Sequence, residues 1–222
     1  MKKTGKTVFT AGIIVLVSVL QASQSRFEWE LKKESDDKKV YTRSVPGNEH
    51  KQMMVVLIGN IPFEVLAEVA KDYSDYESWY GMCKSLKFVN KNGSNDINMY
   101  FVLDMPLLKN RDAVLNLKYD FNYKKGIIKI DIKSFESDYQ KDSGLVRMPK
   151  VEGSIVVTRE SPDKTKVVYT VFADLSTNVP AWLINKMAVK HPYDTATGLV
   201  KQSKKEIYKE RAAAAGGKNF KI

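Results

Sequence analysis

Residues 128–133 alternate apolar and charged positions, and this pattern constrains the fold more than any other feature of the chain. Ile128, Ile130 and Ile132 fall on one side, with Lys129, Asp131 and Lys133 on the other, as in a strand with one face in a core and one in water. Period-two patterns also mark residues 40–45, 53–58, 98–103, 113–123, 155–159 and 167–175, and the first strand extends over 127–135. Short turn chemistry separates neighbours: Lys91-Asn92-Gly93-Ser94, Lys124-Lys125-Gly126 and Ser161-Pro162-Asp163-Lys164. Strands joined this tightly pair antiparallel, so a meander of hairpins is expected.

Two helical patterns interrupt the strands. Pro62 opens the first, with Phe63, Leu66, Val69, Ala70 and Tyr73 at helical spacing and Glu64, Glu68 and Asp72 facing out. Pro180 opens the second, where its missing N–H costs nothing, and this helix is expected to reach about residue 210 with a kink or break at Pro192. At 100° per residue, Ile184, Met187, Ala188, His191, Thr195 and Leu199 share its inner face. That face is mixed in size and includes two polar side chains, which suits the wall of a cavity better than a tight seam. One curved antiparallel sheet wrapped around one long C-terminal α-helix is an α+β, helix-grip fold.

The chain of 222 residues, 43% apolar, is expected to form one domain over residues 26–210. Before it, Lys2, Lys3 and Lys6 precede the apolar run 8–20 and the small polar stretch Ala22-Ser23-Gln24-Ser25, the order of a secretory signal peptide over residues 1–25. The protein is therefore expected to be exported, in a periplasmic setting; the alternative is a membrane anchor left uncleaved. Residues 211–222 are expected to form a flexible basic tail. Cys83 is the only cysteine, so no intrachain disulfide can form.

The net charge of +10 is unevenly placed. Residues 184–222 hold nine basic residues against Asp194, Glu206 and Glu210, whereas residues 23–183 hold 24 basic and 23 acidic ones. A nearly neutral body argues against nucleic acid as a partner and for a basic C-terminal helix that sits on an anionic membrane surface. Lys186, Lys190, Lys201, Lys204 and Lys205 are the expected docking residues.

Catalytic chemistry is thinly represented. His50 and His191 are the only histidines, too few for a histidine-rich metal site, and His50 at a charged strand start is expected to be solvated. Cys83 reads as a small buried hydrophobe. No nucleophile elbow and no zinc-binding helix motif is present, Thr4-Gly5-Lys6-Thr7 lacks the glycine and strand of a phosphate loop, and no cofactor or metal is expected.

Trp29, the YSDYESWYG segment around Trp79, Asn110-Arg111-Asp112-Ala113 after Met105-Pro106, and DLSTNVPAWLINKMAVKHP from Asp174 onward are similar to the START lipid-transfer family over residues 27–210. The resemblance implies a helix-grip fold that binds a lipid or other hydrophobic small molecule between sheet and C-terminal helix, with transfer of that molecule as a further expectation. It implies that Arg111 is a polar anchor in that cavity, paired with a carboxylate or a ligand headgroup; the alternative is a salt bridge to Asp112 or Asp104 at the strand start. Tyr169 and Val171 on the last strand, with Trp182, Ile184, Met187, Ala188 and His191 on the helix, are the other expected ligand-binding residues. A monomer is expected. A cyclase or hydrolase using the same cavity, and an interaction module with a filled core, are the alternatives from other classes. The chain departs from the family pattern in having Asn178 where a glycine is usual before Pro180, and Ile155 where a tryptophan is usual after Gly153-Ser154.

Overall fold

The protein is described by a computed structural model covering residues 28–141, 144–176 and 179–219. The expected signal segment and Asn178 lie outside the described residues. The alternating segments form one sheet from β1 (Glu30–Glu34), β2 (Lys38–Val45), β3 (Asn48–Gly59), β4 (Cys83–Gly93), β5 (Asp96–Leu103), β6 (Arg111–Asn122), β7 (Ile127–Ser134), β8 (Val146–Arg147), β9 (Lys150–Ser161) and β10 (Lys164–Asp174). Their order is β1-β2-β3-β10-β9-β7-β6-β5-β4, with β8 a short parallel partner of β6. All other pairs are antiparallel, and the last strand inserts beside β3, with Tyr169 opposite Val55 and Val171 opposite Met53.

The pleat sorts side chains as the pattern requires. Ile128, Ile130 and Ile132 are buried, while Lys129, Asp131 and Lys133 are exposed. Three strands had no expectation attached: β8 is only two residues long, and β1 and β4 are the sheet edges, largely exposed, whose lysines and asparagines disguise the alternation.

The first helix spans Phe63–Lys71 behind Pro62 and buries Phe63, Val65, Leu66 and Val69; a 3-10 helix follows over Tyr73–Ser78. The long helix runs over Ala181–Ser203, continuous through Pro192, so the expected break there does not occur. Contacts with the segment before β4 hold that turn: Gly81 bonds to both His191 and Thr195. The interruption falls instead at Lys204-Lys205, after which a terminal helix spans Glu206–Asn219.

Residues 211–219, expected from composition to be a flexible tail, continue this helix, and its first turns are held by contacts. Arg211 Nη1 lies 2.7 Å from Asp72 Oδ2, Tyr208 donates to Asp75 Oδ2 at 3.0 Å, and Ala212 is buried. These contacts dock the terminal helix on the turn after the first helix. Among the described residues no helix is long and apolar enough to cross a membrane.

Candidate functional site

Because β10 alternates, Tyr169, Val171 and Ala173 all point to one face of the sheet, and Leu175 continues the row. Ile184, Met187, Ala188 and His191 face them from the first half of the long helix. Between these rows lies an apolar cavity, closed on its far sides by residues such as Phe101, Leu115 and Val151. A second apolar chamber lies beyond Tyr169, under Ala196 and Leu199 in the second half of the helix. The free volumes are about 50 Å³ and 30 Å³. A water needs about 10–15 Å³ on such a measure, so each chamber holds only a few small groups as folded. Admitting a chain molecule requires the walls to part. Met53, Met148 and Met187 line the larger chamber, and their unbranched side chains repack at little cost.

A hydrogen-bonded chain of polar side chains divides the two chambers. The Tyr80 hydroxyl bonds to that of Tyr169, which lies 3.0 Å from His191 Nε2, and His191 Nδ1 is 2.8 Å from the Gly81 carbonyl. A carbonyl only accepts, so Nδ1 carries the proton and Nε2 accepts from Tyr169. Burial lowers the His191 pKa to about 4, so the ring is neutral near pH 7 and positions the tyrosines without exchanging protons. Burial likewise pushes the Tyr80 and Tyr169 hydroxyls up. The chain depends on close approach of loop to helix: a Cβ on Gly81 would collide with the His191 carbonyl, and one on Gly198 with the Trp79 carbonyl.

Comparison with known proteins bears on this arrangement. The family model described as the START domain matches residues 14–206. The chain belongs to the START domain family. An uncharacterised protein of Pseudomonas aeruginosa is 26% identical over 173 residues, 78% of this chain and 85% of that protein. Among solved structures, the STAR-related lipid transfer protein from Xanthomonas axonopodis superposes with a TM-score of 0.68 at 21% identity, covering 80% of this chain and 99% of its own. Human StAR-related lipid transfer protein 5 does so with a TM-score of 0.71 at 17% identity, covering 86% and 94%. These structures share the helix-grip fold of this START domain.

Six of the eight residues expected to bind ligand line the START cavity: Tyr169, Val171, Ile184, Met187, Ala188 and His191. Arg111 and Trp182 do not. Arg111 is buried at the start of β6, but its guanidinium donates to the backbone carbonyls of Leu175, at 3.2 Å, and Lys109, clasping the loop that follows β10. Neither expected carboxylate pairs with it. Asp112 belongs to Arg147, whose Nε lies 3.0 Å from Asp112 Oδ1, and also accepts from Tyr100 at 2.9 Å. Trp182 is 57% exposed, because it lies off the Ile184–Met187–His191 stripe, and its neighbour Leu183 is the buried residue.

Several lining residues were not expected, Tyr80 and His50 among them. Tyr80 sits within the YSDYESWYG segment, where nothing local distinguishes it from its neighbouring aromatics. His50, expected in solvent between Glu49 and Lys51, is instead 8% exposed and lines the cavity. The Cys83 thiol is pushed up to about 12, chiefly by burial, and so stays protonated. All five lysines expected to dock on a membrane are exposed, but Lys190 pairs with Asp194 and Lys205 with Asp75, leaving Lys186, Lys201 and Lys204 without an ion pair among the described residues.

Proposed function

We propose that this START domain binds a lipid or similar hydrophobic small molecule between β10 and the long helix, and carries it between membranes. The observation behind this reading is the apolar cavity itself: protein interiors are normally close-packed, and space walled by Val171, Leu115, Ile184 and Met187 is stabilised by an apolar occupant. Each buried methylene contributes about 0.8 kcal/mol, so an alkyl chain offsets the cost of parting the walls and of its own ordering. The two solved relatives are named as lipid transfer proteins, which points the same way.

Loading would proceed by docking of the basic helical surface on anionic lipid, separation of the long helix from the sheet, uptake of the chain and closure. Residues 1–25 would direct export and be removed before the protein acts in the periplasm; N-terminal sequencing of protein recovered from cells tests this, and an intact Met1 contradicts it. Carriage is tested by following a fluorescent phospholipid from donor to acceptor vesicles. The protein should accelerate exchange, and Ala188→Trp, which fills the cavity, should abolish the acceleration. Equal rates with and without protein would leave binding but remove transfer.

A further inference from the structure

His50 presents one ring nitrogen that nothing among the described residues engages. The residue lines the larger chamber from β3, and its Nε2 is buried without a hydrogen-bond partner among the described residues. Its other nitrogen is fixed. Asn48 Oδ1 accepts from the His50 backbone N–H at 2.7 Å, and Asn48 Nδ2 donates to Asp174 Oδ2 at 3.3 Å, so the amide is turned with its oxygen toward the ring. That oxygen is 2.9 Å from His50 Nδ1, and Asp174 Oδ1 is 3.6 Å away. Two acceptors facing Nδ1 place the proton there, and Nε2 is left with an unshared lone pair in the wall of the chamber.

The dividing chain at the other end of the chamber spends its protons in the same sense. His191 Nδ1–H goes to the Gly81 carbonyl, Tyr169 O–H goes to His191 Nε2, and Tyr80 O–H goes to Tyr169. What remains for the chamber is lone-pair density on the Tyr80 oxygen. Lys51 also borders the chamber, but strand alternation turns its side chain to the face opposite His50, where its charge acts on Glu30 of β1. The unpartnered indole N–H of Trp79 belongs to the smaller chamber beyond Tyr169.

Resting on the cavity reading above, we infer that the ligand is an uncharged apolar molecule carrying a hydroxyl, and that this hydroxyl donates its hydrogen bond to His50 Nε2. An ester or ketone brings only acceptors and meets lone pairs at both ends. A carboxylate also faces Asp174, which already serves the same imidazole.

Three probes that differ only at one end test this: 1-dodecanol, its methyl ether and dodecanoate, each displacing diphenylhexatriene from the full protein. Wild type should bind the alcohol about tenfold more tightly than the ether, the worth of one neutral hydrogen bond. His50→Phe keeps a ring of similar size, and should bring the alcohol to the level of the ether while leaving the ether unchanged. A second readout needs no variant: the ¹⁵N resonance of His50 Nε2 should move on addition of the alcohol and not of the ether. Equal affinities in wild type, an alcohol preference that survives in His50→Phe, an Nε2 resonance unmoved by bound alcohol, or tightest binding of dodecanoate would each overturn the inference while the cavity reading stands. Failure of diphenylhexatriene and all three probes to bind would overturn both.

Discussion

The Tyr169 hydroxyl on β10 lies 3.0 Å from His191 Nε2 on the long helix, a buried polar link between sheet and helix. Burial keeps His191 neutral, lowering its pKa from 6.5 to about 4. The unfolded chain takes up a proton as pH falls below 6.5, whereas the native chain resists until about 4. Stability contributed by the neutral ring is therefore complete above pH 6.5 and is lost progressively down to about pH 4. The loss should approach 3 kcal/mol, roughly 1.4 kcal/mol for each pKa unit. Urea unfolding of wild type and His191→Gln across this window checks it. The advantage of wild type should shrink with acid by this amount, and parallel pH profiles would contradict the assignment.

On the outer face of the sheet, Arg147 protects the carboxylate of Asp112, which is 1% exposed. Arg147→Ala leaves that charge buried with Tyr100 as its one remaining side-chain partner among the described residues and should cost about 3–5 kcal/mol. Replacing both as Asp112→Asn with Arg147→Met should recover part of the loss, since the charge leaves with its partner. Denaturant midpoints of the two variants decide between a paired charge and a dispensable surface contact.

Membrane docking should depend unequally on the five lysines. Lys186, Lys201 and Lys204 should contribute up to about 1 kcal/mol each to binding an anionic surface, whereas Lys190 and Lys205 are paired with Asp194 and Asp75. Changing the first three to glutamine should weaken binding to phosphatidylglycerol vesicles at low salt far more than changing the other two. The difference should fade as the Debye length shortens to about 8 Å near physiological ionic strength. Equal effects of the two sets would make net charge alone responsible.

The strands legible in the sequence were those whose two faces meet different solvents, as with Ile128, Ile130 and Ile132 against Lys129, Asp131 and Lys133. β4 was not, because an edge strand with Lys84, Lys87 and Asn90 buries too little to alternate. The helix stripe through Ile184, Met187, Ala188 and His191 was readable for the same reason as β7, a periodicity imposed by burial on one side. Pro192 misled because tertiary bonds from Gly81 hold the turn that propensity alone would break. The true interruption at Lys204-Lys205 carries neither glycine nor proline to announce it. His50 was hidden by its charged neighbours; its burial follows from β3 pairing with β10, which brings Asp174 to its ring across 124 residues of chain. Arg111 was found as a buried cation by resemblance, but its direction depends on where the loop after β10 places the Leu175 carbonyl, and no local pattern encodes that.

Native mass spectrometry of the protein isolated from its own cells, beside an Ala188→Phe variant, tests occupation of the cavity most directly. Ala188 is buried in the cavity wall, and phenylalanine there fills the space at a cost of about 1–3 kcal/mol, which circular dichroism would show to be tolerated. Wild type should carry a noncovalent apolar adduct that organic extraction releases, and the variant should appear at its bare mass. An adduct retained in the folded variant, or bare wild type that takes up no lipid from an envelope extract, would contradict ligand binding between β10 and the long helix.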